Sequence, residues 1–298
     1  MTIYAASLSA STPAAAQQGA AAILDAGFGG IVLRSPIQHE AWNALRKLLP
    51  KDSVKAIELF LPSPRSLRPG ESASFCAGAE NKTERSENLA QARKTLEAVD
   101  QLGIPLVLVP MTRLNIAGLG RNYLEPTASP EQEQLSFRAE SIELRARMDS
   151  LLALLSFLLE QAERYATTIC LTPGNRPGEL PMMPETLACL KEFDGAPMGL
   201  WLDTRRLPAE FLAVPTIGGS ATAAGPDLLS RLQGVSIADE TTEGVACNPG
   251  QGVVPWDQVA SSIRKLPLLS IEGDLEEGSR FLADLEEEGA SPSGLLDA

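Results

Sequence analysis

Short apolar runs alternate with longer amphipathic stretches along almost the whole chain. A parallel strand covered on both faces reads as a brief continuous apolar run, and a helix on a sheet as apolar residues recurring at three- and four-residue steps. By these criteria, strands are predicted at Ile3 to Leu8, Gly30 to Leu33, Val54 to Leu59, Leu106 to Val109, Thr168 to Leu171, Gly199 to Leu202, Val235 to Ala238 and Leu268 to Ile271. A helical pattern follows each. Thr12-Pro13 offers an N-cap and a proline at the first helical position, and Gly27 stops the alanine-rich helix between them. Gln38 to Leu49 places Trp42, Leu45, Leu48 and Leu49 toward one face. Glu84 to Leu102 repeats Leu89, Ala92, Leu96 and Val99, and Gly103 ends it. Ser136–Tyr165, Pro184–Phe193, Asp227–Leu232, Trp256–Lys265 and Leu275–Glu288 complete the set.

Strands alternating with helices imply parallel pairing through crossovers, and eight such units close a barrel. The predicted fold class is therefore α/β, a single (β/α)8 TIM barrel over residues 1–288 with a short flexible tail at 289–298. A doubly wound open sheet usually shows a glycine-rich turn after its first strand, and no G-x-G-x-x-G is present. The segment from Pro110 to Gln134 has little periodicity. It follows the fourth strand, which puts it at the end of the barrel where active sites form.

Composition narrows the function classes. The 298 residues carry a net charge of −13, which argues against a nucleic-acid partner because a basic surface is the usual footprint. No apolar run is long enough for a membrane span, and the alanine-rich start has no basic residues before it, so neither a membrane partner nor a secretory signal is expected. Cys76, Cys170, Cys189 and Cys247 form no C-x-x-C pair. They read as free thiols, and a cytoplasmic location is expected. The single histidine, His39, reads as an ordinary helix residue, which removes Ser-His-Asp and multi-histidine metal chemistry.

The most informative stretch is Val235 to Trp256, VSIADETTEGVACNPGQGVVPW. Ile237-Ala238-Asp239, then Pro249-Gly250-Gln251-Gly252 and Trp256, resemble the seventh strand and loop of the xylose-isomerase-like TIM barrels, the sugar isomerase and epimerase superfamily. That resemblance implies a divalent-metal site built from two glutamates, an aspartate and a histidine at four strand ends. The aspartate matches Asp203 in Leu202-Asp203-Thr204-Arg205-Arg206, and the last glutamate matches Glu272 in Ser270-Ile271-Glu272. Thr172, in Leu171-Thr172-Pro173-Gly174-Asn175, takes the place of the other glutamate, and Ser236 that of the histidine. Arg206 replaces a further histidine of the sixth-strand motif.

Asp203 and Glu272 are thus the expected catalytic pair and the only remaining metal ligands, suited at most to a weakly held Mg²⁺ or Mn²⁺. Arg206 is expected to occupy the ground of the lost histidine and set the charge of the mouth. Arg34, Arg113, Ser236, Asn175 and Thr172 are candidate ligand contacts, Arg121 lies in the long loop, and Glu58 reads as a paired surface carboxylate. Trp201, two residues before Asp203, is aimed into the barrel by strand alternation. The implied function is a sugar or sugar-phosphate isomerase or epimerase with a partly lost metal site, acting on a small sugar-like or anionic ligand. The alternative is a non-catalytic barrel serving as a ligand-binding or protein-interaction scaffold. Assembly into a homo-oligomer is left open.

Overall fold

The computed structural model describes residues 2–37, 39–59, 79, 82–113, 142–174, 179–206, 230–242 and 244–290. Eight parallel strands close into one barrel. In chain order they are β1 (Ile3–Ala10), β2 (Ile31–Ile37), β3 (Val54–Glu58), β4 (Leu106–Val109), β5 (Thr168–Leu171), β6 (Met198–Asp203), β7 (Leu232–Ile237) and β8 (Leu268–Ile271). Neighbours in sequence are neighbours in the sheet, and β8 closes on β1 through pairs such as Ala5 with Ser270.

Seven described helices accompany them: α1 (Pro13–Asp25), α2 (His39–Leu48), α3 (Lys82–Leu102), α4 (Ile142–Tyr165), α5 (Met183–Glu192), α6 (Trp256–Ile263) and α7 (Leu275–Ala290). The Thr12 hydroxyl accepts the N–H of Ala15, so the predicted cap of α1 is made. Gly27, at φ +85°, turns the chain away from that helix. In α2, Trp42, Leu45 and Leu49 are buried but Leu48 is half exposed. At 100° per residue Leu48 points well away from Trp42 and Leu49, so it leaves the apolar stripe.

β7 begins at Leu232, three residues before the predicted start. Gln233 and Gly234 interrupt the apolar run there, yet Leu232 and Gly234 already pair with Leu200 and Trp201. Leu232 is therefore a strand residue rather than the end of a helix; most of the expected Asp227–Leu232 helix lies outside the described residues. α7 runs through Gly289 to Ala290, two residues into the expected tail. The remaining tail, Cys76, Arg121 and most of the Pro110–Gln134 segment lie outside the described residues.

Two apolar layers hold the fold. The larger lies between the sheet and the helices, where Ile31, Leu33, Ile57, Leu155 and Leu158 are fully buried. Each such side chain contributes about 1.5–3 kcal/mol of transfer free energy. The smaller fills the barrel interior: Ala5, Val32, Ala56, Leu106, Leu108, Cys170, Trp201 and Leu268. Gly234 on β7 leaves room for the Trp201 indole. A Cβ on Gly234 would lie 2.4 Å from that ring, so only glycine fits beneath it.

Candidate functional site

Strand alternation carries the interior column of each strand from this apolar plug to the C-terminal mouth. On β2 the step from Val32 leads to Arg34, on β3 from Ala56 to Glu58, and on β6 from Trp201 to Asp203. On β7 it leads from Gly234 to Ser236, and at the end of β8 through Ser270 to Glu272. Register sets these side by side: Asp203 pairs with Ser236, and Ser236 with Ser270. The Glu272 N–H bonds the Ile237 carbonyl at 2.9 Å, so Glu272 leaves the sheet beside Ser236.

Five charged side chains then form one alternating chain, Glu58–Arg34–Glu272–Arg205–Asp203. Arg34 Nε lies 2.7 Å from Glu58 Oε2, and Arg34 Nη1 3.1 Å from Glu272 Oε1. Arg205 meets Asp203 two-pronged, Nε to Oδ1 at 2.9 Å and Nη2 to Oδ2 at 2.6 Å. The same Nη2 donates to Glu272 Oε2 at 2.7 Å. The single 3-10 turn Thr204–Arg206 makes this reach natural, because it folds the Arg205 N–H back onto Asp203 Oδ1 at 3.0 Å. Thr204 fixes the turn by exchanging hydrogen bonds with the backbone of Ala238.

Ser236 lies beneath the chain, fully buried. Its Oγ accepts from Trp201 Nε1 at 2.9 Å and from Arg34 Nη1 at 3.0 Å. Arg34 therefore aims its N–H at the serine, and Glu272 Oε1, although near a guanidinium, is a buried oxygen that accepts no hydrogen bond.

Burial and pairing act against one another on the titratable groups. Burial raises the Glu58 carboxyl above its usual value, and Arg34 only partly opposes it. Burial pushes Asp203 the same way, but the hydrogen bonds and charge of Arg205, helped by Arg206, overcome it and hold that carboxyl low. Arg205 is disfavoured by burial, yet Asp203 and Glu272 raise its value, so it stays charged.

Several expectations need correction here. The guanidinium that joins Asp203 to Glu272 is that of Arg205, not Arg206. Arg206 follows in the same turn, half-buried, and reaches Asp203 through its charge. Glu58 is paired as expected but is not a surface group: its side chain is 12% exposed and belongs to the mouth. Thr172 is buried at the end of β5. Arg113 sits in a two-residue ribbon paired with Glu179, and Asn175 lies outside the described residues. Arg205 and Glu58 stood at strand ends in the sequence but were not counted among the candidate catalytic or ligand-binding residues. The signal for both was available, since Glu58 follows Ala56 by the two-residue step and Arg205 stands two residues after Asp203.

The motif that singled out the β7 loop proves to be a cradle for one carboxylate. Asp239 is fully buried. It accepts the N–H groups of Glu240, Gly250, Gly252 and Val254 and the Trp256 indole Nε1, at 2.9–3.1 Å. A Cβ on Gly252 would come within 2.3 Å of Asp239 Oδ1 and of the Glu240 carbonyl, so the second glycine of the motif makes the approach feasible. Beyond it, Glu277 Oε2 accepts from Asn248 and Gln251, and Asn248 Oδ1 accepts the Asp274 N–H, which ties the loop to the start of α7.

The donor set does not fit a divalent cation in this arrangement. Both Asp203 oxygens and Glu272 Oε2 are bonded to Arg205. Among the described residues, no group of three or more His, Cys, Asp or Glu side chains comes together to hold a metal ion.

A closed eight-stranded parallel barrel with an inward-facing polar mouth defines the TIM-barrel class. Several solved structures share this fold, one of them named as a xylose isomerase domain protein. The chain is similar to 3-keto-D-glucoside 4-epimerase from E. coli, at TM-score 0.60 and 19% identity over 96% of this chain and 100% of that one. It is similar to a D-tagatose 3-epimerase-like protein at TM-score 0.61 and 16% identity, over 97% and 100% of the two chains. An L-ribulose 3-epimerase matches at TM-score 0.58 and 17% identity, over 100% of this chain and 89% of that one. No protein-family model matches the sequence, and no curated protein matches it. No helix among the described residues is long and apolar enough to cross a membrane.

Proposed function

We propose that the mouth binds a small polyhydroxylated ligand and exchanges a proton on the carbon beside its carbonyl, as a sugar isomerase or epimerase does. In this reading the guanidiniums of Arg34 and Arg205 serve where the sequence resemblance leads one to expect a cation. The observation that carries it is Arg205 spanning Asp203 and Glu272 at the barrel mouth, in a fold whose similar solved structures are named as sugar epimerases.

The roles follow from which atoms are committed. Asp203 has both oxygens on Arg205, so it orients that guanidinium. Glu272 keeps Oε1 without a hydrogen bond, so it is the group able to take the proton. The C–H bond breaks toward Glu272 Oε1, its electron pair forms a carbon–carbon double bond, the carbonyl π pair moves onto the oxygen, and a guanidinium steadies the resulting enediolate. Return of the proton to the former carbonyl carbon, with the proton of the adjacent hydroxyl passing to the oxyanion as that carbon becomes the new carbonyl, gives the isomer. Delivery to the opposite face of the same carbon by a second group gives the epimer. Ser236, buried beneath the mouth, acts by holding Arg34, and Thr172, Arg113, Arg206 and Asn175 are proposed as further ligand contacts.

The test is incubation of the protein with neutral ketoses and aldoses in D₂O, followed by proton NMR. Loss of the signal beside the carbonyl is expected for at least one sugar, and Glu272→Gln should abolish it while retaining saturable contact. Saturable contact without exchange would identify the non-catalytic scaffold instead. Neither exchange nor contact with any sugar would overturn the proposal.

A further inference from the structure

Resting on the reading just given, we infer that the mouth selects an uncharged or amine-bearing polyol and rejects its phosphorylated or carboxylated counterparts. The inference stands on the charge and hydrogen-bond balance of the site. The linked charges at the mouth are three carboxylates, Glu58, Asp203 and Glu272, and two guanidiniums, Arg34 and Arg205. That is a net charge of −1 (−3 and +2). Arg206 brings the balance only to neutrality, and its charge already acts on Asp203. Among the described residues the mouth therefore holds no surplus of positive charge.

An anionic ligand would have to compete for guanidiniums that are already engaged. Arg205 is bonded to two carboxylates, and Arg34 to Glu58 and Ser236. Drawing either one toward a phosphate would strip a half-buried carboxylate of its partner and place a second anion beside it, which a pocket shielded from water penalises. The unmet need is the opposite one. Glu272 Oε1 accepts no hydrogen bond and has only the Arg34 charge beside it, 3.1 Å away, so a hydroxyl or ammonium reaching it supplies a donor where a phosphate oxygen cannot. The hydroxyls of Ser7 and Ser270, 3.1 Å apart in the next layer down, add groups that can give or accept and carry no charge.

The experiment is saturation-transfer NMR and calorimetry with a neutral ketohexose, its terminal phosphate, the corresponding amino sugar and inorganic phosphate alone. The neutral sugar and the amino sugar should bind, with the phosphorylated sugar weaker by about tenfold or more and inorganic phosphate silent. Glu272→Gln removes one negative charge and should narrow the gap between the neutral and phosphorylated sugars. A phosphorylated sugar that binds as tightly as the neutral one, or inorganic phosphate that displaces it, would overturn the selectivity and leave the sugar reading intact. Binding of none of the sugars would overturn both.

Discussion

Arg205 reaches from the turn after β6 to Glu272 at the end of β8, its Nη2 lying 2.7 Å from the carboxylate oxygen. This contact joins two strands that are not sheet neighbours, because β7 lies between them. Removing one partner of such a buried pair leaves the other charge uncompensated. Arg205→Ala is expected to cost about 3–5 kcal/mol of stability by urea denaturation. Arg205→Lys should recover only part, since a lysine cannot make the two-pronged bond to Asp203. A loss below about 1 kcal/mol would place Arg205 among ordinary surface pairs.

Two carboxylates should govern the acid limit of stability. Asp203 and Asp239 are both held below their ordinary values. Burial opposes this in each case, but Arg205 prevails at the first, and the Trp256 indole with the loop N–H groups at the second. A depressed carboxyl contributes stability that is fully present above its unfolded value, near about 3.9, and lost as pH falls through its folded value. Unfolding free energy should therefore decline from about pH 5 downward. Asp239→Asn should flatten that decline, and equal pH slopes for the variant and the parent would contradict the assignment.

The glycine at position 252 should resist substitution for a reason outside its own conformation. A methyl group there meets Asp239 Oδ1 and the Glu240 carbonyl, both at 2.3 Å, and the second of these is backbone. Gly252→Ala is expected to cost about 1–3 kcal/mol as overpacking and to raise hydrogen exchange at Gly250 and Val254. Unchanged exchange at those amides would mean that the loop does not depend on the carboxylate.

Beneath the mouth, Trp201 both fills the barrel and holds Ser236. Trp201→Ala should destabilise by about 3–5 kcal/mol. Trp201→Phe keeps much of the volume but removes the donor, so Arg34 becomes the remaining partner of the Ser236 hydroxyl. That variant should fold and show weaker sugar contact than the parent. If Trp201→Phe matched the parent in both respects, the indole N–H would have no part in arranging the site.

The barrel was legible because β4, β5 and β8 are short, mostly apolar runs, and their observed bounds coincide with the predicted ones. β7 was legible only from Val235, since Gln233 and Gly234 are strand residues by virtue of their neighbours rather than their own propensity. At the mouth, the family resemblance pointed to Asp203 and Glu272. It could not decide between Arg205 and Arg206, because that choice is made by the 3-10 turn and by Glu272, 67 residues away. Glu58 was read as a surface carboxylate for a related reason: its partner Arg34 belongs to another strand, and only the barrel brings the two together. Asp239 was visible as part of a motif, but its role depends on loop N–H groups that no residue code displays.

The central claim, that guanidiniums serve at this mouth where a cation would otherwise be needed, is tested most directly by solvent exchange under chelation. The protein would be stripped with EDTA and incubated in D₂O with a neutral ketose that it turns over, and deuterium entry beside the carbonyl followed by NMR. The expected result is an exchange rate unaffected by chelator or by added Mn²⁺, and lost in Arg205→Ala. Exchange that stops on chelation and returns with Mn²⁺ would contradict the claim and assign Asp203 and Glu272 to a metal.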